Sequence, residues 1–333
     1  MTVRATLTEL AVEYRLKAIR SLGETLQNGI SAGFNEDERD GIFATIQILL
    51  LQDKIFESGV SAHGVHITGA LSICNQLRLS DTLRREDKRT IFFLGNLAWL
   101  DVIRSLADPE RLCFSSQLRE TIIKLSDIKF EQVNGCPRAL FLIMGGVLEH
   151  AKAHAAGQME DAQFEVLLEA ARQNLFSWRS TSFSYPSDDS RWFAVAEAFR
   201  HACILHTSRL LDATQPAEAP IIQQSVTAIL DAAAEIPPDC YLLELLVMPL
   251  FIAGTDTLSA HARHYVLLRL EHIKFRAGFG NPLPNSLLQS VWDARANQPK
   301  KEHENIPWMR FVNVVKRESP LYPANLYRQG KRV

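Results

Sequence analysis

Residues 134–150 read NGCPRALFLIMGGVLEH. Pro137 fits the first turn of a helix, where its missing N–H leaves no bond unmade. Asn134 or Cys136 then flanks the helix start. Leu140, Phe141, Ile143, Met144, Val147 and Leu148 recur at helical steps and form a core-facing side. Gly145-Gly146 predicts the close approach of a neighbouring helix. Cys136 admits two readings. It is a buried, inert thiol beside a helix start, or a nucleophile whose pKa the helix N-terminus lowers. No histidine close in sequence serves it, so a base would have to be His150 or a residue brought in by the fold.

The same periodicity extends outward in both directions. In LTELAVEYRLKAIRSLGETLQ (7–27), Leu7, Leu10, Ala11, Tyr14, Leu16, Ile19 and Leu22 follow three- and four-residue steps. Gly33 and NEDERD (35–40) interrupt, and GIFATIQILLLQDKIFE (41–57) then reads as a helix buried on several sides. Comparable segments lie near 66–78, 87–107, 115–128, 160–176, 190–212, 219–235, 239–254, 259–276 and 284–296. Two-residue alternation is scarce. The pattern predicts one large all-α domain of about ten to thirteen helices. It is expected over residues 1–315, followed by a basic tail at 316–333, KRESPLYPANLYRQGKRV. Loops fall at RSTSFSYPSDDSR (179–191), DATQPAEAP (212–220), AGFGNPLPN (277–285) and ANQPKKEHENIP (296–307), where Gly, Pro and polar residues cluster.

Composition removes several functional classes. The chain has 333 residues, 47% of them hydrophobic, and a formal net charge of −2. Half-apolar composition supports a sizeable core, and the charge gives no global attraction to nucleic acid or anionic membrane. No stretch reaches the roughly 18 uncharged apolar residues that a membrane span needs, and no signal peptide is legible at the charged N-terminus. A soluble, intracellular chain is expected. The five cysteines, Cys74, Cys113, Cys136, Cys203 and Cys240, are widely spaced and include no C-x-x-C pair. They encode neither a disulfide framework nor a local zinc site.

Several blocks together resemble the fungal-specific transcription factor domain, and they run in that family's order. VEYRLKAIRSL (12–22) resembles its opening helix. HITGALSI (66–73) resembles its H-L-x-G-A segment and places His66, Gly69 and Ala70 there. FFLGNLAWLDVIRSL (92–106) resembles a helix with an aspartate after an aromatic pair. The opening stretch resembles its G-C-P/S-x-x-L-F segment. EAFRHACILHTSRLL (197–211), LLVMPLFIAGTDT (245–257), VWDAR (291–295) and IPWMRF (306–311) resemble later blocks. The resemblance covers roughly residues 10–315. It implies an all-α regulatory region of the kind usually found downstream of a zinc binuclear cluster, and a nuclear or cytoplasmic location. Two departures stand out. The C-x-x-C-x6-C spacing of that cluster is missing, and His63 stands where the family often has tryptophan. Without those thiolates no metal-folded reader enters the major groove. Direct nucleic-acid binding is therefore not expected.

Nucleophile-elbow, zinc-protease, P-loop and dinucleotide motifs are absent from the sequence. His63 and His66, His150 and His154, and His261 and His264 are pairs at helical spacing. Each pair lacks a third and fourth ligand nearby, so no metal and no cofactor are expected. Asp101 among apolar neighbours is a candidate general acid or base, with His66 and His63 as further catalytic candidates. Asp101 also stands at i,i+3 spacing for an ion pair with Arg104. Arg104, Trp99, Arg200, His201 and Asp256 are candidate ligand-binding residues, with Trp192 and His206 near the Arg200 group. Thr255 or Asp256 is expected to cap the helix that follows Gly254. Two functions fit. One is a regulator-like protein without its own DNA-binding module that senses a small hydrophobic molecule or binds protein partners, in fungal metabolism and as a homodimer. The alternative is a cofactor-independent cyclase or isomerase of secondary metabolism on the same fold.

Overall fold

The structure, a computed structural model, describes residues 2–56, 62–180, 184–277, 283–298 and 305–312. Regular structure among the described residues is entirely helical, as the periodicity predicts. The order is α1 (Thr2–Ala32), α2 (Glu36–Phe56), α3 (Ala62–Gln76), α4 (Leu79–Thr82), α5 (Lys88–Ser105), α6 (Ser116–Leu125), α7 (Lys129–Asn134) and α8 (Arg138–Ala155). It continues with α9 (Asp161–Ser177), α10 (Arg191–Leu211), α11 (Pro220–Ala234), α12 (Val247–Thr255), α13 (Ala260–Ala277), α14 (Leu283–Ala296) and α15 (Met309–Val312). Two 3-10 segments, Pro109–Arg111 and Tyr241–Leu246, join them. Setting aside the four-residue turns α4 and α15 leaves thirteen longer helices among the described residues. The expected tail at 316–333 lies outside the described residues.

The helix ends follow local chemistry. Asn35 and Glu38 form a reciprocal capping box at α2: the Glu38 N–H donates to Asn35 Oδ1 at 2.9 Å, and the Asn35 N–H donates to Glu38 Oε2 at 3.0 Å. Glu36, Asp37 and Glu38 in the first turn also complement the helix dipole. Ser115 caps α6 by accepting from the Leu118 N–H at 3.3 Å. α7 stops at Gly135, whose φ of 74° is left-handed. A Cβ there would also lie 2.7 Å from Leu245 Cβ, so glycine is required twice over. α8 begins one residue later than the sequence reading places it. Pro137 is the N-cap, not the first helical residue, and its carbonyl accepts from the Phe141 N–H at 3.0 Å.

α10 is the axis of the fold. It buries Trp192, Val195, Phe199, Cys203 and Leu205, and its burial runs round most of its circumference. A helix apolar on all sides belongs in the middle of a core. α8, α9, α11, α12 and the Tyr241–Leu246 segment pack around it. α2, α3, α5 and α6 form the N-terminal side, with α5 and α6 both against α8. α13 and α14 pack on α12 at the C-terminal side. One continuous apolar cluster runs from Ile42 to Val312.

The double glycine of α8 does something other than expected. What approaches Gly145 is the buried guanidinium of Arg119 from α6, whose Nε would lie 2.5 Å from a Cβ at that position. Gly146 meets nothing within 4 Å. Arg119 donates to the carbonyls of Phe114 and Gly145, the latter at 3.0 Å, and pairs with Glu149 at 2.8 Å. The missing side chain of Gly145 is therefore space for a charge.

Candidate functional site

α5 carries Asp101 into the core, where it is fully buried. Its Oδ2 accepts the backbone N–H groups of Cys113 and Phe114, each at 2.9 Å. Its Oδ1 accepts from Arg104 Nη2 at 3.0 Å, so the expected i,i+3 pair forms. Arg104 also donates to the Arg111 carbonyl and reaches Cys113 Sγ at 3.3 Å. Burial pushes the Asp101 pKa above its usual 3.8, against the opposing pull of the two N–H groups, Arg104 and Arg119. Both carboxylate oxygens are occupied by protein donors, so Asp101 clasps the 106–115 loop to α5. Trp99 is half-buried, its ring 5.8 Å from Phe199 and 6.3 Å from Phe141.

A second group sits on α10. Arg200 donates to Glu197 Oε2 from Nε at 2.9 Å and from Nη2 at 2.6 Å, and Nη2 lies 2.9 Å from His201 Nε2. His201 Nδ1 is 3.5 Å from Ser225 Oγ. Burial and the Arg200 charge lower the His201 pKa to about 4, so the ring is neutral at neutral pH and Nε2 accepts from Arg200. His206 is buried alike, at 2% exposure, and neither ring nitrogen has a hydrogen-bond partner. Burial takes its pKa to about 4 as well.

The third group centres on Asp256, and it gathers the most distant parts of the chain. Neither Thr255 nor Asp256 caps the next helix. Ser259 does, accepting from the Ala262 N–H at 3.1 Å. α12 runs on through Thr255, and Asp256 at its C-cap turns into the core at 2% exposure. Arg209 of α10 grips it with two donors, Nη2 to Oδ1 at 2.7 Å and Nε to Oδ2 at 3.2 Å. Arg295 of α14 adds Nη2 to Oδ1 at 2.9 Å. The Asp256 carbonyl accepts from Gln223 Nε2 at 2.9 Å. Arg295 Nη2 also donates to Asn305 Oδ1. Asn305 in turn donates to the carbonyls of Ala213, at 2.9 Å, and Thr214, at 3.0 Å. Nearby, Trp292 Nε1 donates to the Gly254 carbonyl at 2.9 Å, and Arg263 lies over the Trp292 ring at 5.4 Å. Trp308 meets Phe251 edge-to-face at 5.0 Å.

A small pocket of about 10 Å³ opens against this centre, room for about one water. Its lining includes Arg209, Asp256, Arg295, Asn305, Pro307, Trp308 and Met309, and the surface it exposes is almost wholly apolar. Burial lowers the Arg295 pKa, with Arg209 and Arg263 pushing the same way and Asp256 opposing. Nε and Nη1 of Arg295 are buried without a partner.

The structure therefore distributes the candidate residues over three places. Asp101 and Arg104 share the first, Arg200 and His201 the second, and Asp256 the third. Trp99 bridges toward the second through Phe199. His63 and His66 lie on the backbone of α3, and their side chains fall outside the described residues. His154 pairs with Asp161 at 2.8 Å and stacks on Phe164 at 4.2 Å, while His261 and His264 are exposed. Among the described residues no three His, Cys, Asp or Glu side chains are grouped to hold a metal ion. Cys136 is buried, and burial with Cys203 nearby pushes its thiol well above its usual 9.0, the reverse of an activated nucleophile. Arg119, Arg209 and Asn305 are structural finds. Arg295 and Trp308 stood in the VWDAR and IPWMRF blocks without any assigned role.

The sequence model of the fungal specific transcription factor domain matches residues 3–321. No curated protein and no solved structure matches the chain. Among the described residues no helix is long and apolar enough to cross a membrane.

Proposed function

The chain belongs to the fungal specific transcription factor domain family, and on that premise we propose that it is a regulatory module. It senses a small hydrophobic molecule or engages protein partners, acts in the nucleus, and serves the control of fungal metabolism. The observation that supports this reading is the Asp256 centre, where α10, α12, α14 and the 305–309 segment meet around a small pocket whose exposed surface is almost wholly apolar. A site joining several elements can bias their relative placement when it is filled. DNA contact is left to another polypeptide segment, since these 333 residues include no C-x-x-C pair. Homodimerisation belongs to the proposal. Val12, Leu16 and Ile19 of α1 are exposed at coiled-coil spacing, and a second copy would cover them.

The cyclase or isomerase reading has less support. Its leading acid, Asp101, has no exposed surface, and both of its oxygens are already engaged. To test the regulatory reading, the chain is fused to an unrelated DNA-binding domain in a fungal host. Reporter transcription is expected to differ several-fold from that of the DNA-binding domain alone. An unchanged reporter, with the fusion present in the nucleus, defeats it.

A further inference from the structure

α1 is 31 residues long, and α2, against which it packs, is 21. At the rise of an α-helix, α1 is about 15 Å the longer. Leu10, Val12, Tyr14, Leu16 and Ile19 of α1 are each between 41% and 63% exposed. They make up a third of the exposed large apolar side chains among the described residues, gathered in ten positions. Single exposed leucines are ordinary, but a concentration of this kind marks an interaction surface. Val12, Leu16 and Ile19 stand at i, i+4 and i+7, so they form one stripe along the helix. Charges follow one flank of that stripe. Exposed Glu13 stands toward its N-terminal end and pairs with Lys17 at 2.7 Å, and exposed Arg20 stands at its C-terminal end. Half-buried Arg15 lies on the other flank.

We propose that this stripe pairs antiparallel with the same stripe of a second copy, about a two-fold axis beside Leu16. Reversed, the stripe is its own complement. Val12 of one copy lies level with Ile19 of the other, and the two Leu16 side chains meet near the axis. Antiparallel symmetry sets like flanks side by side, so Glu13 falls level with Ala18 of the second copy, between its Lys17 and Arg20. Acid then faces base on both sides of the axis. A parallel pair sets opposite flanks together and brings Arg20 toward Arg15, like charge on like. The charges therefore select a second copy and one orientation of it. The inference rests on the homodimer within the regulatory reading and specifies its surface and its direction.

The test follows the oligomeric state of the full chain by sedimentation velocity. A dimer is expected at micromolar concentration. Leu16→Glu, at an exposed position, should give a monomer with an unchanged helical circular-dichroism spectrum. Glu13→Arg and Arg20→Glu should each weaken the dimer severalfold, because every reversed charge counts twice across the two-fold axis, and the double variant should recover most of the loss. A parallel dimer answers in the opposite sense: Arg20→Glu would pair with Arg15 and tighten it. A chain that stays monomeric, a dimer untouched by Leu16→Glu, a dimer tightened by Arg20→Glu, or no recovery in the double variant overturns the proposal. The regulatory reading fails separately: a dimer with a silent reporter fusion sinks that reading alone, and an active fusion of a monomeric chain sinks this inference alone.

Discussion

Asp101 and Asp256 are both carboxylates of 2% exposure or less in an all-helical core, and they are satisfied in opposite ways. Asp101 draws on its own neighbourhood: Arg104 one turn on, and two backbone N–H groups from the loop that leaves its helix. Asp256 draws on side chains 47 and 39 residues away. Local compensation makes a clasp that fixes one loop. Remote compensation makes a joint whose integrity depends on several helices at once. The joint should therefore be the costlier to break and the more responsive to a ligand.

The largest expected effect is at the joint. Asp256→Ala leaves two buried guanidiniums without their anion and should cost about 3–5 kcal/mol in denaturant unfolding. A loss no larger than that of the matching change at Asp101 would erase the contrast drawn here. His206 sharpens the contrast, being a buried polar group with neither kind of compensation. Its folded pKa of about 4 lies below its ordinary 6.5. The unfolded chain therefore takes up a proton that the folded chain refuses as pH falls through that window. Stability present above pH 6.5 should drop by about 3 kcal/mol toward pH 4. His206→Leu should flatten that part of the curve. His201, also at about 4, acts in the same window, so the double variant should flatten it further.

Asp101→Asn comes next, at about 1–3 kcal/mol, because an amide cannot accept both N–H groups and Arg104 as a carboxylate does. The pH signature has the opposite sign to that of the histidines. A raised carboxyl pKa means the folded chain holds its proton longer, so the stability Asp101 contributes at acid pH is lost as pH rises above 3.8. Loss of that slope in the variant is the measurement. The glycine pair of α8 spans a comparable effect and the smallest one. Gly145→Ala drives a methyl into Arg119 and should cost about 1–3 kcal/mol. Gly146→Ala, with open space, should gain about 0.5–1 kcal/mol of helix propensity. Equal effects at the two glycines would refute the reading of Gly145 as a seat for the guanidinium.

How much of this was legible in the sequence follows the same division. Helical class, the extent of α10 and the Asp101–Arg104 pair are short-range consequences of 3.6-residue periodicity, and they read directly from spacing. The start of α8 missed by one residue because Pro137 suits both the cap and the first turn. Gly145-Gly146 was read as a helix contact because a glycine pair announces a close approach without naming what approaches. Local spacing makes Thr255 or Asp256 a helix cap, because capping is the local use of such residues after a glycine. The actual partners of Asp256, Arg209 and Arg295, are set by how α10, α12 and α14 pack, and no local pattern carries that. The mutual roles of the VWDAR and FIAGTDT blocks emerge only when Trp292 is seen donating to the Gly254 carbonyl.

The position of Arg295 late in the chain has a consequence for how the molecule breathes. Arg209 and Asp256 alone would form a neutral pair, and α14 arrives on that balanced pair carrying a further buried positive charge. Withdrawal of α14 exposes Leu288 and Val291 but relieves that excess, whereas withdrawal of α8 exposes a larger apolar face, Leu140, Phe141, Met144, Val147 and Leu148, without relieving it. Opening should begin at the C-terminal edge, as a partial unit distinct from global unfolding. Amide protons of α14 should exchange well before those of α8 and α10.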